Sequence, residues 1–354
     1  MKTALFCLTA GGYALARQIQ QGLTAAGDQT DLYAPERDFI LPGQAETFKS
    51  LARAVETAFS SHRRLIMIMA LGIAVRMIAP HLKDKNTDPA VVVLDEAGAH
   101  VISVLSGHLG GANELTRQIA ALTGARPVIT TATDVHGLPA VDDLARIYDL
   151  ALDPASTAKI INTALVNGGS VCFYVPREMR QTPATDQVQY RSPGDYPQQP
   201  ADTQYHVVVT NRLAEQTEAN TFYLRPRNLV AGVGCRKGAD PDSILTALHE
   251  ALALCKRSPL SLRTLATIDI KEQEPGLRQV MAKLQLPLAV FSPAQINQFL
   301  HRMGQDIAGS AFVRQTVGTR AVCEPAALMA SRKGELLLPK HKFPGVTIAL
   351  AEDQ

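Results

Sequence analysis

The chain is poor in several features that would point to particular classes of protein. Its 354 residues contain no tryptophan, and aromatic residues make up only 5%, which disfavours a platform on which nucleic acid bases stack. The formal net charge is +2, so no overall basic character argues for nucleic acid as a partner. No apolar run approaches the roughly 18 residues that a membrane span requires. We therefore expect a protein that binds neither nucleic acid nor a membrane.

Cysteines are few and scattered. The five of them never form CxxC, and their odd number and wide spacing fit reduced thiols better than disulfides or a zinc knuckle. The apolar N-terminal stretch spans only about seven residues before Gly11-Gly12, which predicts a first strand and not a signal peptide. These features predict a cytoplasmic protein with no protein-bound metal.

What the sequence does contain is an alternation of short apolar runs with helical patterns. Most of these runs end in a glycine-containing turn that leads into a helix. This alternation predicts an open, mostly parallel α/β sheet as the architecture of residues 1–137. The runs that we interpret as strands include Thr3–Leu8, Leu65–Ala70, Val91–Leu94, Val101–Leu105 and Pro127–Thr130.

Two further regions follow the first domain. Residues 138–226 predict a small α/β middle region, in which 139–167 is expected to form two helices. Within it, residues 181–204 are rich in Gln, Pro, Asp and Ser and lack an apolar period, which predicts a polar loop. Residues 227–354 again alternate strands with helices and predict a C-terminal α/β domain.

The turn that follows Val101–Leu105 is the most informative stretch of the chain. Its glycines allow a tight turn and close approach of a ligand to the backbone. The first amides of the following helix can bind an anion, and a histidine can act as general acid or base, or as a ligand to a bound metal complex. The alternative is a turn whose polar side chains only cap the helix. The residues concerned are Ser106, Gly107, His108, Gly110, Gly111 and Asn113.

Three more turns place polar groups after predicted strands. One carries an arginine that can clamp a carboxylate, one carries hydroxyls that suit oxyanion or carboxylate binding, and one is basic. Each has an ordinary alternative, namely a surface arginine, a turn that starts a helix, or a solvated loop. The residues concerned are Gly72 and Arg76, then Thr130, Thr131, Thr133 and Asp134, and finally Arg236 and Lys237.

The turns of the first domain are expected to line a single cleft, because ligands of open α/β sheets bind beyond the carboxyl ends of the strands. Ser106, His108 and Asp134 could form a Ser–His–Asp set there, but no G-x-S-x-G elbow surrounds Ser106. Asp134 could otherwise orient His108. The glycine pattern matches neither a phosphate loop nor G-x-G-x-x-G, so nucleotide binding is not favoured.

Several strings resemble the CbiG family, the cobalt-precorrin-5A hydrolases of anaerobic cobalamin biosynthesis. The resemblance covers both ends of the chain and, more weakly, the middle, and its C-terminal part is similar to CobE of the aerobic route. The strings are LGIAVRMIAP, DPAVVVLDEAGAHVISVLSGHLGGANELTRQIA, PVITTATDV, LVAGVGCRKG, EPGLRQV, FVRQTVGT, EPAAL and GVTIALA.

The resemblance implies an enzyme that opens the ring A δ-lactone of cobalt-precorrin-5A with water. The extruded carbon and its methyl group then leave as acetaldehyde, which gives cobalt-precorrin-5B. Cobalt is carried by the substrate, so no cofactor is expected. A homodimer, or transient contact with other enzymes of the pathway, would fit this function. The alternative is a non-catalytic carrier that binds the same tetrapyrrole and needs a basic cleft but no acid–base group.

Residue chemistry suggests roles within that reaction. His108 would be the general base for water, and Asp134 would orient its ring. The amides of Gly110 and Gly111, with Thr130 or Thr131, would hold the developing oxyanion. The basic residues that would pair with the peripheral carboxylates of the macrocycle are Arg76, Arg236 and Lys237.

Overall fold

The computed structural model describes residues 2–37, 40, 43–84, 87–198, 200–214, 219–303, 319 and 321–354. The FVRQTVGT string lies outside the described residues except for Thr319. The chain divides into two compact units. The first comprises Met1–Tyr148, Ala158–Ser170 and Met179–Val188, and the second comprises Asp149–Thr157, Val171–Glu178 and Gln189–Gln354. The predicted domain ranges 1–137, 138–226 and 227–354 stay a prediction.

The first unit contains a sheet with the strand order β3-β2-β1-β4-β5-β6-β7. Its strands are β1 Lys2–Cys7, β2 Gln29–Pro35, β3 Glu46–Phe48, β4 Arg64–Ile68, β5 Ala90–Leu94, β6 His100–Leu105 and β7 Arg126–Val128. Its helices are α1 Ala10–Ala25, α2 Leu51–Ser61, α3 Leu71–Ile78, α4 Ala112–Thr123, α5 Ala132–Val135 and α6 Val141–Ile147, and α7 Thr157–Val166 lies almost wholly in the same unit.

Both faces of this sheet are buried, as its apolar strands require. Successive side chains of a strand point to opposite faces. In β1, Leu5 and Cys7 accordingly pack with one core cluster, which includes residues of α1 and α4. Ala4 and Phe6 pack with the other cluster, which includes residues of α2 and α3. The predicted α/β architecture of this region is confirmed.

Strand direction changes within the sheet, and this corrects the expectation of a single cleft. β1 to β5 are mutually parallel where they pair, whereas β6 returns antiparallel to β5. β7 runs parallel to β6. The carboxyl ends of β6 and β7 therefore lie at the opposite edge of the sheet from those of β1 and β4. The turns Ser106–Asn113 and Thr130–Asp134 are thus separated by the sheet from Gly11-Gly12 and Gly72–Arg76.

The hairpin between β5 and β6 has a local cause. The Asp95 carboxylate accepts hydrogen bonds from the amides of Ala97, Ala99 and His100, at 3.0, 3.1 and 2.6 Å. Burial acts against ionisation of this carboxyl, but those three backbone donors lower its pKa overall. The connection is too short for the crossover that a parallel pair needs, so the next strand must return antiparallel.

The second unit begins with a sheet of order β10-β9-β11-β12-β8. The two helices predicted over 139–167 are confirmed as α6 and α7, but Leu150–Asp153 between them forms a strand that was not predicted and that pairs antiparallel with β12. The Asp153 carboxylate accepts a hydrogen bond from Arg225 Nε at 2.8 Å across that pair. The predicted polar loop 181–204 also contains a strand. The strands are β8 Leu150–Asp153, β9 Val171–Tyr174, β10 Val188–Arg191, β11 Tyr205–Val209 and β12 Thr221–Pro226.

A third sheet, of order β15-β14-β13-β17-β16, completes the second unit. Its strands are β13 Leu229–Cys235, β14 Leu262–Ile268, β15 Leu288–Phe291, β16 Glu335–Phe343 and β17 Val346–Glu352. Its helices are α8 Pro241–Leu254, α9 Pro275–Leu284, α10 Pro293–Met303 and α11 Cys323–Ala330. Asp240 caps the start of α8, where its side chain accepts a hydrogen bond from the amide of Ser243. Among the described residues, none of the helices combines the length and the apolar character needed to cross a bilayer.

Candidate active site

The loop between β6 and α4 is folded tightly against itself. Ser106 adopts a left-handed conformation with φ of 57°, and its hydroxyl donates to the carbonyl of Asp88 at 3.1 Å. A Cβ atom on Gly110 would lie 2.3 Å from the Cβ atom of Ser106, so only glycine fits at that position. Gly111 has a φ of 84°, a conformation that glycine adopts at low cost. These contacts fix the conformation of the loop that carries His108.

Backbone hydrogen bonds within this loop correct part of the predicted anion site. The amide of Gly111 donates to the carbonyl of His108 at 2.9 Å, and the amides of Ala112 and Asn113 donate to the carbonyls of Ser106 and Gly107. The amide of Gly111 is therefore not available for an oxyanion, because a backbone N–H has one proton to donate.

The His108 ring is held at both nitrogens. Nδ1 donates to Asp143 Oδ2 at 3.0 Å, and Nε2 lies 3.0 Å from Thr133 Oγ1. Asp134 Oδ2 is farther from Nε2, at 3.8 Å. The expectation that Asp134 orients the ring is thus wrong, since the carboxylate at Nδ1 belongs to Asp143. No hydrogen bond joins Ser106 to His108, because the Ser106 hydroxyl points to Asp88, and the Ser–His–Asp set is not formed.

The charges around His108 and Asp143 shift the pKa of both groups. His108 and Asp143 have side-chain exposures of 13% and 16%. Burial lowers the pKa of His108, but the hydrogen bond to Asp143 and the charges of Asp142, Asp143 and Asp134 outweigh it, and the pKa is raised overall. Burial acts the other way on Asp143, yet contacts with His108 and Arg146 lower the pKa of its carboxyl. A group tuned in this way, in a recess, is typical of acid–base sites.

A second network surrounds Asp134 and fixes the same end of the sheet. Asp134 Oδ2 accepts hydrogen bonds from Asn113 Nδ2 at 2.9 Å and from Thr131 Oγ1 at 2.5 Å. Its other oxygen pairs with Arg117. Asn113 is 1% exposed, and its Oδ1 accepts from Ser103 Oγ at 2.7 Å. Asn113 and Thr131, predicted as ligand contacts, have their polar atoms engaged by protein groups, so they brace the site instead.

Asp143 and the surrounding residues of α6 were not found from the sequence. Asp142 and Asp143 stand in the first turn of α6, where acidic residues favour the helix dipole. Asp142 Oδ1 accepts from Asn162 Nδ2 at 2.8 Å, which ties α7 to α6. Arg146 Nη2 donates to Asp143 Oδ1 at 3.2 Å. The only sequence signal was the Asp-Asp pair, which equally indicates an ordinary helix start, 35 residues from His108.

A pocket of about 350 Å³ opens beside His108, entirely within the first unit. The first turn of α5 forms one wall, and the polar side chains of α7 form another. Lys159, which is exposed, contributes a positive charge to the lining. No cluster of three or more His, Cys, Asp or Glu side chains in the described part of the chain is arranged to hold a metal ion. The lining comprises His108, Thr131, Ala132, Thr133, Asp142, Ala158, Lys159, Asn162, Thr163, Val166 and Asn167.

Other predicted site residues are not gathered at this pocket. Gly72 and Arg76 lie at the opposite edge of the sheet, where the exposed Arg76 guanidinium donates to the carbonyl of Gly72 at 3.3 Å. Thr130 is exposed and does not line the pocket. Arg236 and Lys237 are exposed residues of the second unit. Their turn is closed by Glu274, whose Oε1 accepts from the amide of Gly238 at 2.7 Å.

The fold and the site together define an α/β protein with a carboxylate–imidazole–hydroxyl arrangement beside a pocket, which is a geometry that hydrolases use. Comparison with known proteins gives the family. Three profiles match the chain: Cobalamin synthesis G N-terminal over residues 53–134, Cobalamin biosynthesis central region over 139–226, and Cobalamin synthesis G C-terminus over 229–351.

Curated relatives agree with these profiles. Cobalt-precorrin-5A hydrolase of Salmonella typhimurium is 38% identical over 350 residues, which is 98% of this chain and 96% of that protein. Cobalt-precorrin-5A hydrolase of Priestia megaterium is 35% identical, over 85% of this chain and 82% of that protein. Protein CobE of a Sinorhizobium species is 28% identical, over 35% of this chain and 79% of that protein. The chain belongs to the CbiG family of cobalamin biosynthesis proteins, and the predicted likeness to CobE is confirmed.

Proposed function

We propose that this chain is a cobalt-precorrin-5A hydrolase, which opens the ring A δ-lactone of its cobalt-tetrapyrrole substrate and releases acetaldehyde. The names of the Salmonella and Priestia relatives support this activity. The observation that carries the proposal for this chain is the His108 ring, hydrogen-bonded to Asp143 and Thr133 at the edge of the pocket. A carrier would need the pocket but no such acid–base group, and the relatives' names do not favour it.

His108 is the acid–base group in this proposal. Asp143 accepts a hydrogen bond from Nδ1–H, so the neutral ring presents the lone pair of Nε2 to a reacting hydroxyl. Nε2 takes a proton as the lactone carbonyl is attacked and returns one as the ring oxygen departs. The low exposure of the pair strengthens the charge interactions that stabilise the imidazolium formed in between.

Substrate binding in this proposal begins with charge. Lys159 on α7 lines the pocket and would pair with a peripheral carboxylate of the macrocycle. The Gly110 amide, which donates to no described residue, is a candidate donor to the developing oxyanion. Arg236 and Lys237 stay predicted carboxylate partners. Cobalt enters as part of the substrate, and the proposal assigns the protein no cofactor of its own.

Location and assembly are further parts of the proposal. A cytoplasmic setting fits the cysteines, all five of which are free thiols. A homodimer, or transient contact with neighbouring enzymes of the pathway, fits an enzyme that receives and passes on a labile intermediate. Size-exclusion chromatography with light scattering would show directly whether the protein is a homodimer.

Acetaldehyde release from cobalt-precorrin-5A tests the activity. We expect the wild type to release it and His108→Gln to be slower by about 10²- to 10⁴-fold, the usual contribution of a positioned acid–base group. Binding of the substrate, followed by its absorbance, should persist in the variant. His249→Gln, at an exposed position of α8, is the matched control and should react at the wild-type rate. A wild type that binds substrate without releasing acetaldehyde would establish the carrier instead.

A further inference from the structure

We propose that the Thr133 hydroxyl is the nucleophile that attacks the lactone, so that the reaction passes through an ester on Thr133 before water completes it. This inference rests on the proposed hydrolase function and concerns the same pocket. In this inference the attacking atom is Oγ1 of Thr133. If water attacked the lactone directly, the attacking atom would not belong to the protein.

The first argument is the occupancy of Nε2. A histidine that activates water must present its free nitrogen to that water within hydrogen-bond distance. In this structure Thr133 Oγ1 stands 3.0 Å from Nε2, in the position that such a water would need. Nδ1 is committed to Asp143. The proton that His108 is placed to remove is therefore the proton of the Thr133 hydroxyl.

The second argument is that the three groups form a complete relay. The Asp143 carboxylate accepts from Nδ1 at 3.0 Å and holds the ring in the tautomer that leaves Nε2 free to accept. A hydroxyl bonded to that nitrogen is an activated nucleophile, because the transition state places its proton on a base already in contact. Sequence order does not matter for such a set, since geometry defines the roles.

The third argument is elimination of the neighbouring hydroxyls. Ser106 Oγ donates to the Asp88 carbonyl, and Thr131 Oγ1 donates to Asp134 Oδ2. Neither faces His108. Thr133 lines the pocket together with His108, and the residue is only 4% exposed, so few waters compete at its hydroxyl. Of these three hydroxyls, that of Thr133 is the one that contacts His108 and belongs to a residue of the pocket lining.

The first half-reaction forms the ester. Thr133 Oγ1 bonds to the lactone carbonyl carbon, its proton passes to His108 Nε2, and the carbonyl oxygen carries the negative charge. When the carbonyl re-forms, the ring C–O bond breaks and its electron pair leaves on the oxygen of the extruded carbon. That oxygen forms the carbonyl of acetaldehyde as the bond to the macrocycle breaks. The macrocycle receives the electron pair and the proton from His108.

The second half-reaction restores the enzyme. Water bonds to the ester carbonyl carbon and gives a proton to Nε2. The bond to Thr133 then breaks, Oγ1 takes the proton from His108, and the product leaves as a carboxylic acid that ionises. One water is consumed overall, which is the balance of the hydrolysis. The same histidine serves both halves, as in other acyl-transfer enzymes.

A rapid-quench experiment tests the ester directly. Excess enzyme is mixed with cobalt-precorrin-5A, quenched in acid through a single turnover, and digested for mass spectrometry. We expect the peptide that contains Thr133 to carry the mass of the substrate less acetaldehyde, and acetaldehyde to appear before the free carboxylate. Thr133→Ser should also form the adduct. His108→Gln, which lacks the base, should form far less of it.

Rates of the variants complete the test. Thr133→Val keeps the shape and removes the hydroxyl, so we expect acetaldehyde release to fall as far as in His108→Gln, about 10²-fold or more. Thr57→Val, at an exposed position of α2, controls for the substitution and should react normally. A Thr133→Val enzyme within tenfold of the wild type overturns the proposal. So does a rate loss with no adduct in either the wild type or Thr133→Ser, which would make Thr133 a positioning residue.

These outcomes separate this inference from the proposed function. A wild type that releases no acetaldehyde contradicts the hydrolase itself. A wild type that releases acetaldehyde while Thr133→Val does so equally well leaves the hydrolase standing and removes only the ester.

Discussion

The two edges of the first sheet are built from similar segments and differ in chemistry. At one edge, β4 runs into α3, where Leu71, Ile73 and Val75 are exposed and Arg76 donates to the carbonyl of Gly72 in the same helix. At the other, β6 runs into the tight loop that holds His108. Both are apolar strands that lead through a short connection into a helix with a glycine at or near its start. The comparison teaches that the segment pattern alone does not mark a site.

The two edges differ in how far their charged side chains are buried. Around His108, the side chains of Asp134, Asp143 and Arg146 are at most 19% exposed, and Asp142 is buried. Their charges therefore act strongly enough to shift the pKa of His108 and of Asp143. Arg76 is a lone exposed charge, which water and salt screen. A carboxylate clamp or a catalytic base needs poorly exposed, interacting charges such as those around His108.

The largest effect on activity is expected when the Asp143 carboxylate beside His108 is removed. Asp143→Asn removes the acceptor that fixes the His108 tautomer, and we expect kcat/KM to fall by about 10²- to 10⁴-fold. Because Asp143 raises the pKa of His108, its removal lowers that pKa. Activity rises as the base loses its proton, so the acidic limb of the pH profile should move to lower pH.

The pH profile distinguishes this role from a purely structural one. Asp149→Asn, at an exposed residue with a left-handed conformation that asparagine tolerates, is the matched control. It should change neither rate nor profile. An Asp143→Asn enzyme that keeps its acidic limb in place would contradict the pairing of Asp143 with the catalytic base.

Substitution of one glycine at each edge is expected to have an intermediate effect. Gly110→Ala would place a Cβ atom 2.3 Å from Ser106 Cβ and 2.7 Å from the Ser106 carbonyl oxygen. The loop must shift, and we expect a loss of about 1–3 kcal/mol in stability together with lower activity. At the other edge, Gly11→Ala would meet the end of the Glu96 side chain at 2.8 Å, which can move aside.

Urea unfolding and acetaldehyde release measure both variants. Gly11 lies in α1, where alanine is favoured by roughly 0.5–1 kcal/mol, so Gly11→Ala should be neutral or mildly stabilising and fully active. If the two variants lost equal free energy of unfolding, the tight packing of the His108 loop would contribute no more to stability than the contacts of Gly11.

The smallest effect is expected at Arg76. Arg76→Gln alters an exposed side chain across the sheet from the pocket, so kcat/KM should stay within about twofold of wild type. Lys159→Gln, which removes a positive charge from the pocket lining, should raise KM by about tenfold, as loss of a charge-assisted contact does. A reversed order would place the macrocycle at the α3 edge.

Much of the fold was predictable because its signals are local. Apolar runs identified β1, β4, β5 and β6, and the glycine-containing segments after β1, β4 and β6 indicated helix starts. Leu150–Asp153 was mistaken for part of a helical region because a strand of this length has no periodicity of its own. Its pairing with β12, far along the chain, decided its conformation.

Of the candidate site, His108 and the hydroxyls of the Thr130–Asp134 run stood out, because their residue types are chemically informative wherever they lie. The roles of these residues could not be predicted, because a role depends on which side chain each residue contacts. Asp134 was the carboxylate predicted to orient His108, yet it is engaged by Asn113, Thr131 and Arg117. Thr133, predicted as a ligand contact, lies at the free nitrogen of the ring.

The sequence by itself determined the α/β class, the family and the presence of a glycine-bounded histidine turn, because periodicity, glycine content and characteristic strings are properties of neighbouring residues. Only the tertiary structure decided that β6 reverses direction and carries His108 to the edge away from Arg76. It also decided that Asp143, 35 residues along the chain, meets His108. The physical reason is that strand pairing and buried charge pairs depend on which distant groups packing brings into contact.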